Sequence, residues 1–307
     1  MGDDAFSGAW NVRETVFSPS GQRMGEVLQR RIIEPAADDR LRVWQKCEPD
    51  RALRAEGHPM ADFGGEHVFT LSRHGAARRY HGPAVIGGAI TIGEGAMMGR
   101  GVWPSFGWAF TSWSVLVAPD RQLTGGRFHR GGAPMATIVG VAAPENARDP
   151  RDQTRAKGFS GQGASRAIDG DSAARLGQVR WPGECARRWK GNIRRVDSAG
   201  CVIDDEPVWR RYASAHEWTG PELSLAFSER GDALALDGTA AGRTVRGFAR
   251  RFGWMVESEA VIGDDTILES IEVFDEARGH LVVLSRWLVD QTLQRAEVLR
   301  LQPEADA

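Results

Sequence analysis

Two tryptophans open two matching stretches of the chain, and this internal repeat constrains the fold more than any other feature. Trp10 is followed eleven residues later by Gly21 in a turn sequence, and Trp189 eleven residues later by Gly200. The stretches also end alike. Arg127-Phe128 and Arg286-Trp287 each lie seventeen residues before a Pro-Glu pair, Pro144-Glu145 and Pro303-Glu304. The order of landmarks is the same in both halves, so one β-rich unit is used twice. The 307 residues accommodate two domains of ordinary size. A domain of about 150 residues buries roughly two-thirds of its unfolded surface without disulfides or metals.

Each stretch is a series of short apolar runs separated by Gly, Pro, Asp and Ser clusters. WNVRETVF over residues 10–17 alternates weakly and ends in SPSG, and GEVLQRRIIEP follows. LRVWQKCEP places Leu41, Val43 and Gln45 on one face against Arg42, Trp44 and Lys46 on the other. This is the cadence of an antiparallel meander. Helical periodicity occurs only near 51–56 and 183–189. A meander this long must hide two edges, and closing the sheet does so. About eight strands fit each half, the size of a small barrel with room for one ligand. The expected fold is therefore all-β: a barrel over 1–145, a linker over 146–183 and a second barrel over 184–307. The linker assignment rests on composition, since that stretch is rich in Gly, Ser, Asp and Arg and poor in large apolar side chains.

Gly8-Ala9-Trp10 resembles the glycine-any-tryptophan signature on the first strand of lipocalin-like (calycin) barrels. The resemblance implies tandem lipocalin-like barrels. It also implies an arginine from a late strand lying across each tryptophan, Arg127 across Trp10 and Arg286 across Trp189. The second copy departs from the pattern, reading Arg187-Arg188-Trp189 with Gly191 after it. Tandem barrels of this kind are similar to two groups: proteins of unassigned role, and two-barrel enzymes such as carotenoid hydratase-like proteins and decalin-forming cyclases. The second group implies cofactor-free chemistry on a hydrophobic substrate.

Charge and composition narrow the partners. With 39 Lys and Arg against 41 Asp and Glu, nothing draws the chain to nucleic acid or to an anionic membrane. Cys47, Cys185 and Cys201 are odd in number and lack metal-ligand spacing, the usage of a reducing compartment. MGDDAFSGAW has neither a basic nor an apolar leader region, and no window approaches the ~18 apolar residues of a membrane helix. The expectation is a cytoplasmic protein whose partner is a small hydrophobic molecule, with no membrane insertion, self-association being left open. The glycine-rich GEGAMMGRG and GGRFHRGG do not sit in a strand–turn–helix unit. Neither G-x-S-x-G nor H-E-x-x-H occurs, which argues against the common serine hydrolase and zinc protease plans.

The halves are unequal, and this points to the first as the working one. His58, His67, His74, His81 and His129 lie there, against His216 and His280 in the second. So does the densest aromatic run, Trp103, Phe106, Trp108, Phe110 and Trp113. On one strand, Phe106, Trp108 and Phe110 would share a face, either lining a cavity for a flat or conjugated ligand or filling the barrel as core. Glycines such as Gly87, Gly88, Gly99 and Gly101 leave wall positions without side chains.

His67, His74 and His81 recur every seven residues, but strands with His74 in a turn do not converge three ligands on one metal, so no metal and no cofactor are expected. If Arg73 pairs with Arg78, Tyr80 shares a face with His67, Phe69 and Leu71 while His81 points the other way; a three-residue loop reverses this. Tyr80, His81 and His129 are the candidate catalytic residues, because histidine titrates near neutrality and tyrosine donates to a developing oxyanion. The candidate ligand-binding residues are His67, Phe69, Trp103, Phe106, Trp108, Phe110 and Arg127. The functional expectation is cofactor-independent isomerisation, cyclisation, hydration or lyase chemistry on a hydrophobic molecule. The alternatives are a non-catalytic carrier and a structural or partner-binding module.

Overall fold

The computed structural model describes residues 5–38, 40–93, 95–145, 180–275 and 278–304. The chain divides into two compact units, and each contains one closed antiparallel barrel of ten strands. Most of the linker expected over 146–183 lies outside the described residues.

The first barrel runs β1 (Gly8–Phe17), β2 (Arg23–Pro35), β3 (Arg40–Pro49), β4 (Gly65–His74), β5 (Ala77–His81), β6 (Ile86–Thr91), β7 (Ala96–Trp103), β8 (Trp108–Ala118), β9 (Arg121–Arg130) and β10 (Ala133–Pro144). It closes by pairing β10 with β1, from Trp10 opposite Pro144 to Phe17 opposite Thr137. The second runs β11 (Arg188–Asp197), β12 (Val202–Ser214), β13 (Glu217–Thr219), β14 (Leu223–Arg230), β15 (Ala233–Ala240), β16 (Arg243–Phe252), β17 (Met255–Ile262), β18 (Thr266–Asp275), β19 (His280–Val289) and β20 (Thr292–Pro303). It closes by pairing β20 with β11.

Ten strands stand where about eight were expected, because turns divide apparently continuous runs. ARRYHGPAVI breaks after His81 at Gly82-Pro83, and proline cannot donate to the ladder. RTVRGFARRFGWMVESEAVI breaks at Gly253, whose φ of 59° is the left-handed conformation that glycine adopts freely. Among the described residues helix is confined to short pieces. α1 (Arg51–Ala55) follows β3, with the Asp50 side chain accepting from the Leu53 N–H at 3.0 Å. A 3₁₀ turn over Pro59–Phe63 carries Phe63 into the barrel core. α2 (Pro182–Cys185) precedes β11, and the rest of the helical expectation over 183–189 gives way to strand at Arg188.

Alternation sets the core. On β1, Trp10, Val12, Glu14 and Val16 are all buried, with less buried residues between them. Ladder register carries that inward face around the wall. Apolar side chains such as Val16, Val27, Leu41 and Leu53, at most 1% exposed, each contribute roughly 1.5–3 kcal/mol on burial.

The expected arginine–tryptophan stacks are absent. Trp10 lies opposite Pro144 on β10, whereas Arg127 lies opposite Thr137. Seven residues of strand, roughly 23 Å, separate them, and the same spacing divides Trp189 from Arg286. Arg286 instead pairs with Glu269 at 2.5 Å. Both tryptophans are fixed by the lead-in segment: the Trp10 indole N–H donates to the Phe6 carbonyl, and that of Trp189 to the Ala186 carbonyl, each at 3.0 Å. No helix among the described residues is long and apolar enough to cross a membrane.

Candidate ligand site inside the first barrel

The aromatic side chains expected to line a cavity pack on one another. Phe63 stacks on His67 at 4.9 Å and meets Trp103 edge-on at 5.1 Å. Phe106 stacks on Trp108 at 4.6 Å, and Trp108 meets Phe128 at 5.9 Å. Phe110 reaches Trp103, Tyr80 and Phe128 at 6.1–6.3 Å. Phe106 is not on the strand: it belongs to a 3₁₀ turn over Pro104–Phe106, and Gly107 at φ 65° starts β8 at Trp108. Only Trp108 and Phe110 therefore share the strand face. His67 is a core residue here, 9% exposed, with Nε2 3.2 Å from the Phe63 carbonyl. The buried indole N–H of Trp108 has no hydrogen-bond partner among the described residues.

Beside the aromatic layer the inward face turns polar. Glu14 is 2% exposed, Gln29 6%, Gln45 5%, Ser114 5% and Thr124 4%. The Gln29 amide donates to the Glu14 carboxylate, and the Arg31 guanidinium donates to the Gln29 carbonyl at 3.0 Å. The result is a chain from carboxyl through amide to guanidinium. Arg31 makes no ion pair among the described residues, and its buried Nε has no partner. Burial pushes the Glu14 carboxyl up to about 7, against the opposing pull of the Arg31 charge and the Gln29 hydrogen bond. Burial also raises the Tyr80 phenol above its ordinary value, opposed by a hydrogen bond with Ser112 and by the charges of Arg78 and Arg31.

Two wall glycines make room for side chains of this layer. Gly140 lies opposite Glu14, and a Cβ there would fall 2.5 Å from the Glu14 Cγ and from the Arg13 carbonyl oxygen. A Cβ on Gly99 would fall 2.8 Å from the Tyr80 hydroxyl oxygen. The space at these positions is taken by neighbouring side chains of the wall.

The remaining candidates are divided by that wall. Arg73 pairs with Arg78 and Leu71 with Tyr80, so Tyr80 faces inward with His67, Phe69 and Leu71. Phe69 meets Tyr80 edge-on at 6.0 Å. His81 is exposed on the outer side, where its Nε2 lies 2.9 Å from Ser72 Oγ, a hydroxyl shared with His74. On β9, Phe128 points inward and is 5% exposed, so its neighbours Arg127 and His129 face outward. His129 is half-buried, and burial together with the Arg127 charge lowers its pKa. The three catalytic candidates thus do not meet: Tyr80 is inside, His81 and His129 outside.

Glu14, Gln29 and Arg31 were missed although the signal was present. Trp10, Val12, Glu14 and Val16 recur at period two, as do Val27, Gln29, Arg31 and Ile33. Following the parity of the signature Trp10 along β1 places Glu14 inside, and Arg31, the β2 partner of Trp10, does the same for the next strand. A separate surface groove of about 570 Å³, lined by Glu26, Lys46, Glu48, Asp50 and Arg54 among others, contains none of these residues.

No family model matches the chain, and no curated protein matches it in sequence. Among solved structures it is similar to a protein of unknown function from the DUF3598 family of Nostoc punctiforme. That likeness has a TM-score of 0.51 at 9% identity and covers 98% of this chain and 97% of that one. The chain is also similar to the S-type phycobiliprotein lyase of Guillardia theta, with a TM-score of 0.36, 12% identity, and coverage of 47% and 90%. Kievitone hydratase of Nectria haematococca follows at 0.19, 8% identity, 98% and 90%. The first likeness shows a shared fold and nothing of function; the other two, at TM-scores below 0.5, carry no argument.

Proposed function

We propose that the first barrel binds a small, largely apolar molecule at its interior polar layer and moves a proton on it without a cofactor. The observation that carries this reading is the inward constellation of Glu14, Gln29, Arg31 and Tyr80 beside the aromatic core. Buried polar groups are normally satisfied, yet Arg31 Nε and Trp108 Nε1 have no hydrogen-bond partner among the described residues. A carboxyl that titrates near neutrality suits a general acid or base. Glu14 takes a proton from an activated carbon of the guest and returns it to another. The Tyr80 hydroxyl stabilises negative charge that develops meanwhile. Isomerisation and cyclisation need no further reactant; hydration needs water. Phe69 and Phe110, which flank Tyr80, contact the apolar part.

A carrier would use the same inward-facing residues for binding, and the ionisable Glu14 is what favours turnover. The test separates the two. Untargeted mass spectrometry of small molecules extracted from the purified native protein identifies candidate guests, which are then offered to the wild type and to Glu14→Gln and Tyr80→Phe. Turnover lost with binding kept supports catalysis. Binding with no turnover in any variant supports a carrier, and the absence of any bound or binding molecule overturns the reading.

A further inference from the structure

Each barrel keeps an arginine at the same place. Arg31 on β2 lies opposite Trp10, and Arg210 on β12 lies opposite Trp189. In the second barrel that arginine is fully provided for. Its Nη1 is 2.9 Å from Glu272 and 3.3 Å from the Tyr212 hydroxyl, and its guanidinium stands 3.6 Å from the Trp218 ring centroid. Burial lowers the pKa of this guanidinium, but Glu272 and Tyr212 more than offset it and hold it above its ordinary value.

Register identifies the corresponding places in the first barrel. Tyr212 stands two residues after Arg210, as Ile33 does after Arg31. Trp218 lies opposite Tyr212, as Val43 lies opposite Ile33. Glu272 lies opposite Val283 and Ser114 opposite Thr124, three residues before Arg286 and Arg127 respectively. The phenol, the indole and the carboxylate are thus replaced by Ile33, Val43 and Ser114, while the guanidinium is retained. Glu14 does not replace the lost ion pair, because Gln29 stands between it and Arg31.

We propose that Arg31 anchors an anionic oxygen head group, such as a carboxylate, on the apolar molecule bound by the first barrel. This rests on the reading that the first barrel binds such a molecule. A guanidinium offers several donors in a planar fork that suits oxyanions, and the buried Nε of Arg31 is one of them without a partner. In the second barrel Glu272 already occupies that role, so the guest belongs to the first.

The test uses the full chain and two fluorescent probes of one skeleton, anionic 8-anilinonaphthalene-1-sulfonate and neutral N-phenyl-1-naphthylamine. The wild type is expected to bind the sulfonate roughly tenfold or more tightly than the neutral probe, the scale of a hydrogen bond to a charged group. Arg31→Gln should remove that preference and leave the neutral affinity within about twofold. Ser114→Glu, which supplies the carboxylate that the second barrel has, should also remove it while keeping Arg31, and it decides the matter if Arg31→Gln does not fold. A preference that survives the substitutions, or equal weakening of both probes, overturns the inference. If neither probe binds the wild type, the ligand-binding reading itself fails and this inference with it.

Discussion

Replacing Glu14 by glutamine should make the first barrel more stable above about pH 4, and increasingly so as pH rises toward 8. In the unfolded chain this carboxyl ionises near 4.5; in the fold, burial holds its proton to about 7. Between those values the folded state binds one proton more than the unfolded state, so stability falls as pH rises. At about 1.4 kcal/mol per pH unit the loss comes to roughly 3 kcal/mol, complete by about pH 8 and absent below about pH 4. The substituted amide carries no charge to desolvate and can still accept from the Gln29 side chain. The variant should match the wild type at pH 4 and exceed it at pH 8 by about 3 kcal/mol, a shift of roughly 5–10 °C for a domain of this size. Thermal and urea unfolding from pH 4 to 8, with hydrogen exchange on β1–β3 to isolate the first barrel, measures this. The outward His129, whose lowered pKa acts in the opposite sense, is present in both proteins and cancels. Parallel stability curves for the two proteins would refute the assignment of Glu14 as a buried, near-neutral carboxyl.

Other expectations follow from the same packing. Phe63→Ala removes the ring on which His67, Trp103, Trp108 and Phe128 converge, and should lower stability by about 3–5 kcal/mol in denaturant titrations. Glu272→Gln leaves Arg210 buried without its counter-charge and should destabilise the second barrel by about 3–5 kcal/mol. Glu269→Gln, which breaks the more exposed pair with Arg286, should stay below about 1 kcal/mol. His81→Ala and His129→Ala should leave the affinity for any interior guest unchanged, because both side chains stand outside the wall; a tenfold loss in either would contradict that placement.

The repeated barrel was legible because it rests on local signals. Glycine- and proline-marked turns and period-two alternation survive in the sequence of either copy, and the Arg73–Arg78 register that turns Tyr80 inward was one of two readings already available. The interior was harder to read. Tryptophan and phenylalanine signal burial without saying whether they border a space or fill it, and the contacts of Phe63 with five rings depend on a 3₁₀ turn that no periodicity announces. Histidines drew attention by chemical type, yet four of the five in the first half cap, decorate or flank the wall: His58 accepts from the Met60 N–H at 3.1 Å, and His74, His81 and His129 lie on its outside. The polar layer escaped notice because glutamate and arginine on a strand read as solvent-facing unless parity is followed from a residue known to point inward.

The claim on which the account depends is that the polar layer of the first barrel receives an anionic, largely apolar guest. Its most direct test is to extract small molecules from the wild type and from Arg31→Gln, purified in parallel under native conditions, and to compare them by mass spectrometry. An apolar compound with an anionic oxygen group should be abundant in the wild type and depleted in the variant. Equal recovery from both proteins, or a wild type that yields no such compound, would contradict it.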